Sequence, residues 1–226
     1  MNAAAFQLSR DGRVTPAAFV ASPNCDARPP GARIDALVIH AISLPPGCYG
    51  GDFIERLFTN RLDPRAHPAF ADIADLKVSS HFLVDRAGAL LQFVPAPMRA
   101  WHAGESKLHG RERVNDFSIG IELEGCDHDR FTAAQYDTLS KLAQLLRARY
   151  PAIRPERIVG HSDIAPGRKT DPGPHFDWQR LRALLATPAT AATAVTKATN
   201  ATDATKATDN ATDARATKTT VAPSRA

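Results

Sequence analysis

The alternation of apolar and polar residues along the chain predicts the strands of a mixed sheet. Residues 36–40 (ALVIH) form a short apolar run, which is typical of a buried strand, and the run ends in His40. Residues 117–124 (FSIGIELE) alternate strictly and predict a strand with one apolar face and one polar face. The polar face carries Ser118, Gly120, Glu122 and Glu124. Residues 79–85 and 89–94 flank an Arg-Ala-Gly turn and predict a hairpin.

Capping residues mark two of the predicted helices. Asp52 and Glu55 have the spacing of a capping box, so a helix is expected to begin there and to end at residue 58. Asp177 is expected to begin the last helix, which ends near residue 185. A short strand at residues 158–159 precedes His161.

The longest predicted helix runs from Thr132 to residue 149. Thr132 and Gln135 form a second capping-box pattern. Apolar side chains recur at helical spacing in the residues Tyr136, Leu139, Leu142 and Leu146. Because strands and helices alternate, the predicted fold class is α/β, with a mixed central β-sheet flanked by α-helices. Ligands are expected in a groove at the strand ends.

Composition divides the chain near Thr187. Residues 187–226 are Ala, Thr, Asp, Asn and Lys in loose repeats and contain no Phe, Leu, Ile or Trp. Such a segment cannot bury enough apolar area to offset the entropy of ordering, so a disordered low-complexity tail is predicted. Residues 15–186 are predicted to form a single α/β domain.

Charge, hydropathy and cysteine content indicate which partners and which cell compartment to expect. The formal net charge is +4, and no dense Lys/Arg stripe is present, so nucleic acid is not expected as a partner. No apolar run approaches the roughly 18 residues that span a bilayer, and no secretory signal is recognisable. Three cysteines without a CxxC pair are typical of free thiols. The expected location is the cytoplasm, without membrane attachment.

Two histidines and one aspartate are candidates for a metal site. His40 and His161 each follow an apolar strand, at the edge where α/β sheets bind ligands. Asp171 lies ten residues after His161, in a Pro- and Gly-rich loop that can fold back over a strand end. Two imidazoles and one carboxylate, with water in the fourth position, are a common catalytic zinc set. The spacing alone favours ordinary surface or core residues over a metal site.

Four further residues could act on a substrate. Glu122 lies on the polar face of its strand and could accept a proton from a metal-bound water, although a solvated strand face would give the same pattern. Lys169 could stabilise an oxyanion, or could be a plain loop lysine. Trp101 offers a platform for a sugar, and Arg113, with its neighbour Arg111, could hold a carboxylate. Each of these also has an ordinary core or surface interpretation.

Three long segments together resemble the zinc-dependent N-acetylmuramoyl-L-alanine amidase family. The segments are HAISLPPGCYGG at residues 40–51, AWHAGESKLHGRERVNDFSIGIELEG at 100–125 and GHSDIAPGRKTDPGPHFDW at 160–178. That family also includes phage T7-type lysozyme and the peptidoglycan recognition proteins. The match is to the branch that acts on 1,6-anhydro-muropeptides in cell-wall recycling, and it covers nearly all of residues 14–185.

The resemblance implies a role for each candidate. His40, His161 and Asp171 match the family's ligands for one zinc ion per chain. Glu122 matches its proton acceptor, and Lys169 matches its transition-state stabiliser. The implied substrate is a small glycopeptide, anhydro-muropeptide, cut between the lactyl carbonyl and L-alanine.

The substrate contacts implied by the resemblance include two departures from the family pattern. Trp101 and Arg113 lie in segments that border the sugar and the peptide carboxylate. Lys77 stands where an arginine is expected, so the bidentate grip on the peptide is lost. Ala41 stands where an asparagine is expected, so one polar contact to substrate is missing.

Three alternatives remain open at the level of sequence. The chain could be a broad amidase on intact peptidoglycan, a non-catalytic muropeptide-binding module, or a protein that zinc only stabilises. The complete ligand set disfavours a pure binding module, and the lack of a recognisable signal disfavours action on the extracellular wall. A monomer is expected.

Overall fold

The computed structural model describes residues 5–187, and these form a six-stranded sheet with helices against it. The strands, including short two-residue ones, are β1 (Gln7–Leu8), β2 (Val14–Thr15), β3 (Ala18–Phe19), β4 (Cys25–Asp26), β5 (Ala36–Ile42), β6 (Phe82–Val84), β7 (Leu90–Gln92), β8 (Arg99–Ala100), β9 (Lys107–Leu108), β10 (Arg111–Glu112), β11 (Ser118–Glu124) and β12 (Ile158–Gly160). The helices are α1 (Phe53–Phe58), α2 (Ala133–Arg149), α3 (His161–Ile164) and α4 (Trp178–Ala186), with 3₁₀ turns at Pro68–Phe70, Val114–Asp116 and Pro155–Arg157.

The main sheet has the strand order β12-β5-β11-β6-β7-β3. Strands β12, β5, β11 and β6 are parallel to one another. Strands β6 and β7 form an antiparallel hairpin, and β3 is parallel to β7. The sheet is therefore mixed, as the alternation of elements predicts. The carboxyl ends of β5, β11 and β12 meet at one edge, because these strands run in the same direction.

The central strand β11 is buried on both faces, which its alternating pattern does not indicate. It lies between β5 and β6, and all seven residues are buried. Its apolar residues Ile119, Ile121 and Leu123 join the core under α2. The polar face is turned to the opposite side of the sheet, where it is covered rather than solvated.

Helix α2 covers the apolar face of the sheet. Thr132 accepts a hydrogen bond from the backbone N–H of Gln135, and the Gln135 side chain accepts one from the backbone N–H of Thr132, so the predicted capping box is confirmed. All four of the apolar residues predicted for its inner face are buried, namely Tyr136, Leu139, Leu142 and Leu146. Each such side chain contributes roughly 1.5–3 kcal/mol when fully buried. Helix α4 packs beside α2, and Asp177 caps it through the backbone N–H of Arg180.

The capping box predicted for Asp52 and Glu55 is wrong, because its hydrogen bonds are not formed. The helix itself lies where the pattern predicts it. Helix α1 spans Phe53–Phe58, but Asp52 makes no side-chain cap hydrogen bond. Its carboxylate forms an exposed ion pair with Arg56, and Glu55 pairs with Arg61. Helix α1 is held by its buried residues, which pack in a second apolar cluster with Phe70 and Phe93.

The remaining sequence expectations concern boundaries and cysteines. The hairpin of β6 and β7 is confirmed, with strands shorter than the predicted 79–85 and 89–94. The ordered fold begins before residue 15, because β1 pairs with β2. The predicted tail lies outside the described residues, apart from Thr187. The cysteines are all free thiols, namely Cys25, Cys48 and Cys126. No helix within residues 5–187 is long and apolar enough to cross a membrane.

Candidate metal centre

Three ligand-type side chains from distant parts of the sequence converge at the carboxyl edge of the sheet. The Nδ1 atoms of His40 and His161 are 3.0 Å apart, and the Oδ2 atom of Asp171 lies 3.1 Å from the first and 3.2 Å from the second. His40 is on β5, and His161 follows β12 directly and begins α3. The loop that carries Asp171 is held to α3 by a hydrogen bond of 2.9 Å from the backbone N–H of Ser162 to the Asp171 carbonyl.

The spacing of the three atoms fits a small divalent ion. Ligands held about 2.0–2.2 Å from one tetrahedral zinc ion lie roughly 3.3–3.6 Å from each other. The observed separations of 3.0–3.2 Å are a few tenths of an ångström tighter, so the ligands would need to spread only slightly around an ion. Both imidazoles are buried, and Asp171 keeps 16% of its side chain exposed. One side of the cluster is therefore open to an incoming group.

The protonation of His40 and Asp171 suits metal binding. Burial lowers the pKa of His40, which keeps the imidazole neutral. Burial alone would raise the pKa of Asp171, but the adjacent imidazoles of His161 and His40 outweigh it, and the pKa falls below its ordinary value. Neutral imidazole and ionised carboxylate are the forms that bind a metal ion.

Each histidine has its outer nitrogen engaged by a neighbouring segment. The Nε2 atom of His40 is 2.9 Å from Nδ1 of His102, and Nε2 of His161 is 3.2 Å from the carbonyl oxygen of Ala103. The same carbonyl accepts a 2.7 Å hydrogen bond from Arg168. Residues 102–103 thus contact both imidazoles on the side away from the ligand cluster.

Glu122 lies beside His40 on the same face of the sheet. The two residues are register partners on parallel strands, so their side chains point the same way. Glu122 is only 9% exposed, and its Oε2 atom has no hydrogen-bond partner among the described residues. Burial, and then the charge of Asp171, raise the pKa of Glu122 well above its ordinary value, while Lys169 acts in the opposite direction. The solvated-face interpretation of this residue is therefore wrong.

Glu124, two residues along the same face, is buried for a different reason. Its two carboxylate oxygens accept hydrogen bonds from the backbone N–H groups of Gly50 and Arg86. These bonds tie two loops to the end of β11, so Glu124 has a structural role. The two acidic residues of the IELE segment look alike in sequence and differ in hydrogen bonding.

Lys169 borders an open cavity beside the cluster. The cavity has a volume of about 610 Å³, and its lining includes Lys169, Asp171, Ala41 and His128. Lys169 is exposed, which leaves its ammonium group free to move toward a ligand in the cavity. Ala41 lines the wall with a methyl group only, which offers no polar contact to a ligand.

Trp101, which directly precedes His102 in the chain, is held in place by an ionic network. Its indole N–H donates to Asp26 at 3.2 Å, and Asp26 also accepts hydrogen bonds from Arg99. Arg99 bridges from Asp26 to Asp116. The indole is half-buried, so one part of the ring remains accessible.

The other proposed substrate contacts lie at the surface. Arg113 is 71% exposed and pairs with Asp116 at 3.2 Å. Lys77 is exposed, and its side chain makes no hydrogen bond or ion pair within residues 5–187. Arg111 is a structural residue instead, because it pairs with Asp35 at 2.6 Å and lies over the ring of Phe117. The structure does not bring Lys77 or Arg113 into contact with the three converging ligands.

Sequence reasoning missed the residues that surround the two imidazoles. His102 counts in the sequence only as part of an aromatic segment, and Ser118 only as one polar position of a strand. Asn115 accepts hydrogen bonds from the backbone N–H groups of His102 and Ala103, at 3.1 and 2.8 Å. The eight histidines of the chain carried no signal that separates His102 from the others.

Comparisons with known proteins identify the family of the chain. The sequence profile described as N-acetylmuramoyl-L-alanine amidase matches residues 30–174. The 1,6-anhydro-N-acetylmuramyl-L-alanine amidase AmpD of Enterobacter cloacae is 54% identical over 180 residues, which cover 80% of this chain and 96% of that protein. A crystal structure of a selenomethionine AmpD derivative matches with a TM-score of 0.77 at 54% identity, covering 79% of this chain and 99% of that one.

A liganded structure is also similar. The complex of the N-acetylmuramyl-L-alanine amidase AmiD from Escherichia coli with anhydro-N-acetylmuramic acid-L-Ala-D-gamma-Glu-L-Lys has a TM-score of 0.50 and 34% identity. The match covers 78% of this chain and 65% of that one.

Proposed function

The chain belongs to the N-acetylmuramoyl-L-alanine amidase family, and we propose that it hydrolyses the amide bond between the lactyl group of 1,6-anhydro-N-acetylmuramic acid and L-alanine. The observation that carries the proposal is the convergence of His40, His161 and Asp171 beside the buried, unpartnered carboxylate of Glu122. The similarity to AmpD over nearly its whole length supports the anhydro-muropeptide as substrate. The AmiD complex supports a glycopeptide ligand.

The ion that we propose for the site is one Zn²⁺ per chain, held by His40 Nδ1, His161 Nδ1 and Asp171 Oδ2. Two imidazoles and one carboxylate with an open fourth position are the donor set of catalytic zinc. When bound, zinc would supply a water of lowered pKa and an electrophile for the lactyl carbonyl.

Glu122 is proposed as the group that moves the proton. Its raised pKa and its free oxygen suit a residue that accepts a proton from the attacking water and returns it to the departing amine of L-alanine. Such proton transfer contributes typically about 10²–10⁴-fold to the rate. Glu124 cannot share this role, since backbone N–H groups occupy both of its oxygens.

Lys169 and the surface residues are proposed to act on the substrate directly. The Lys169 ammonium would donate to the carbonyl oxygen as negative charge develops there, a contribution of roughly 3–4 kcal/mol for a well-placed donor. Trp101 would stack against the sugar, and Arg113 and Lys77 would hold carboxylates of the peptide. The cytoplasm and a monomeric state are retained as predictions, and fractionation of cells and light scattering of the purified chain test them.

The deciding experiment is mass spectrometry of anhydro-muropeptide incubated with the purified chain. We expect two products, the free anhydro-sugar and the intact peptide with an L-alanine amine. A chelator should stop the reaction, and added Zn²⁺ should restore it. A reaction that persists after the metal is removed, or products cut at another bond, would contradict the proposal.

Two further arms separate the alternatives. Intact sacculi in place of anhydro-muropeptide test for a broad wall amidase, and comparable release of peptide from sacculi would favour that function. Glu122→Ala should bind zinc as tightly as wild type and lose nearly all turnover, whereas wild-type rates in that variant would end the proton-transfer assignment. Binding of anhydro-muropeptide without any hydrolysis would indicate a recognition module.

A further inference from the structure

A buried line of hydrogen bonds runs from His40 away from the ligand cluster. Nε2 of His40 is 2.9 Å from Nδ1 of His102, and Nε2 of His102 is 3.1 Å from the hydroxyl of Ser118. The Ser118 hydroxyl donates to the carbonyl oxygen of Val114 at 2.7 Å. All four residues are buried, so these groups depend on one another for their hydrogen bonds.

The donor and the acceptor of every hydrogen bond in this line follow from the carbonyl group of Val114 at its end. A carbonyl oxygen can only accept, so the single proton of Ser118 is used on Val114. The Ser118 oxygen must then accept from His102, which places the His102 proton on Nε2 and leaves a lone pair on Nδ1. That lone pair can only accept, so His40 carries its proton on Nε2 and presents a lone pair at Nδ1. Nδ1 is the atom that faces His161 and Asp171.

We propose that His102 is a positioning residue for the metal centre, which holds His40 in the one tautomer and ring orientation that can bind an ion through Nδ1. The inference rests on the proposed metal function of the site. Ligating histidines commonly use their second nitrogen in this way, and the partner is more often a carboxylate, a carbonyl or a water. Here a second neutral histidine serves, and its own proton is fixed by Ser118.

The position of the His102 ring depends on Gly120 of β11, which has no side chain to occupy that space. A Cβ atom on Gly120 would lie 2.5 Å from Cγ of His102, well inside van der Waals contact. The ring therefore rests directly on the backbone of the central strand, between Ser118 and Glu122. Asn115 holds the backbone of the same residue, because its side-chain oxygen accepts a hydrogen bond from the backbone N–H of His102 at 3.1 Å. The glycine in the strand is explained by this contact rather than by backbone conformation.

Two substitutions of similar size separate the hydrogen bond from the packing. His102→Asn places an amide oxygen at the position of Nδ1 and can still accept from His40. His102→Leu fills similar space and cannot accept. We expect His102→Leu to weaken Zn²⁺ binding about 10–100-fold, and His102→Asn to stay within about threefold of wild type. Competition with a chromogenic chelator measures the affinity, and thermal unfolding of the zinc-free proteins reports on folding.

The outcomes separate this inference from the proposed function. If wild type fails to bind Zn²⁺, the metal proposal itself fails. If wild type binds and both variants bind equally well, or lose affinity equally while remaining folded, the role of His102 as an acceptor is overturned.

A measurement on the unmodified chain keeps the test valid if His102→Leu does not fold. Two-bond ¹H–¹⁵N correlation spectra of the zinc-loaded, ¹⁵N-labelled protein identify the tautomer of each imidazole. The expected result is a proton on Nε2 of both His102 and His40. A proton on Nδ1 of His102 would overturn the proposal.

Discussion

Replacing Glu122 by Gln is expected to make the metal-free protein more stable while it removes the activity. The Glu122 carboxylate is 9% exposed, and one of its oxygens has no hydrogen-bond partner in the described part of the chain. A buried polar group without a partner costs about 1–3 kcal/mol, and more when it is charged. A neutral amide at the same position still carries part of that cost. The expected gain in the free energy of unfolding is therefore about 1–2 kcal/mol.

The gain should depend on pH in a definite direction. The folded-state pKa of Glu122 is raised above its ordinary value, so the folded protein holds the proton where the unfolded chain has released it. The destabilisation is absent below about pH 4, increases as pH rises above the unfolded pKa of about 4.3, and becomes constant above the folded pKa. The difference between Glu122→Gln and wild type should thus be larger at pH 8 than at pH 5.

Glu124→Gln is the matched control, because it lies on the same face of the same strand. Both oxygens of Glu124 accept backbone N–H groups, and an amide can serve only one of them. This variant should lose about 1–3 kcal/mol. Calorimetry of the two metal-free variants measures both effects, since 1 kcal/mol shifts Tm by about 2–4 °C in a domain of this size. A lower Tm for Glu122→Gln at pH 8 would refute the reasoning, because it would mean that the carboxylate is stabilised by partners after all.

Three further expectations concern the core, a helix cap and the substrate contact. Leu139→Ala should lower the free energy of unfolding by about 2–5 kcal/mol, because the side chain is fully buried between α2 and the sheet. Denaturant unfolding measures the loss, and an effect below about 1 kcal/mol would contradict the assigned packing. Thr132→Ala should cost about 1 kcal/mol through loss of the capping box, whereas Asp52→Ala, without a cap bond, should stay within about 0.5 kcal/mol of wild type. Lys77→Arg should lower KM for the muropeptide about fivefold with little change in kcat, if a bidentate contact to the peptide is restored; an unchanged KM would remove Lys77 from the substrate site.

Much of the fold follows from local sequence, and the exceptions have a common cause. The capping residue Thr132 and the apolar spacing of α2 contain all the information needed to place that helix. The Asp52 pattern has the same spacing, yet the Asp52 carboxylate pairs with Arg56 at the surface. The side chain at a capping position can bond either to a backbone N–H of the helix or to a nearby charged side chain. Sequence spacing does not show which of these partners is nearer.

Some residues of the candidate site could likewise be predicted from the sequence, and others could not. His40 and His161 could be proposed from their positions at the ends of apolar strands, and Asp171 from its Pro- and Gly-rich loop ten residues after His161, while the resemblance to a family favours these three over the other candidates. The pattern of residues alone does not distinguish Glu122 from Glu124, because the difference depends on which loops reach the end of β11, and only the family resemblance selects Glu122. His102 could not be assigned either, since its role arises from contacts across 62 positions in sequence to His40.

The parallel pairing of β5 with β11 also sets limits on how this enzyme can be altered. His40 and Glu122 are neighbours because the two strands are aligned residue for residue from Ala36 and Ser118 onward. Deleting one residue within either strand ahead of this pair would turn the acid or the imidazole to the α2 side, into the apolar core that contains Leu37, Ile39 and Ile121. Length changes in the loops of segments 43–81 and 85–117 leave that alignment intact, provided that α1, strands β7 to β10, residues 101–103 and Asn115 keep their places. Grafted sequences or altered specificity loops therefore belong in the remaining parts of those connections, and the strands themselves are best left at their present length.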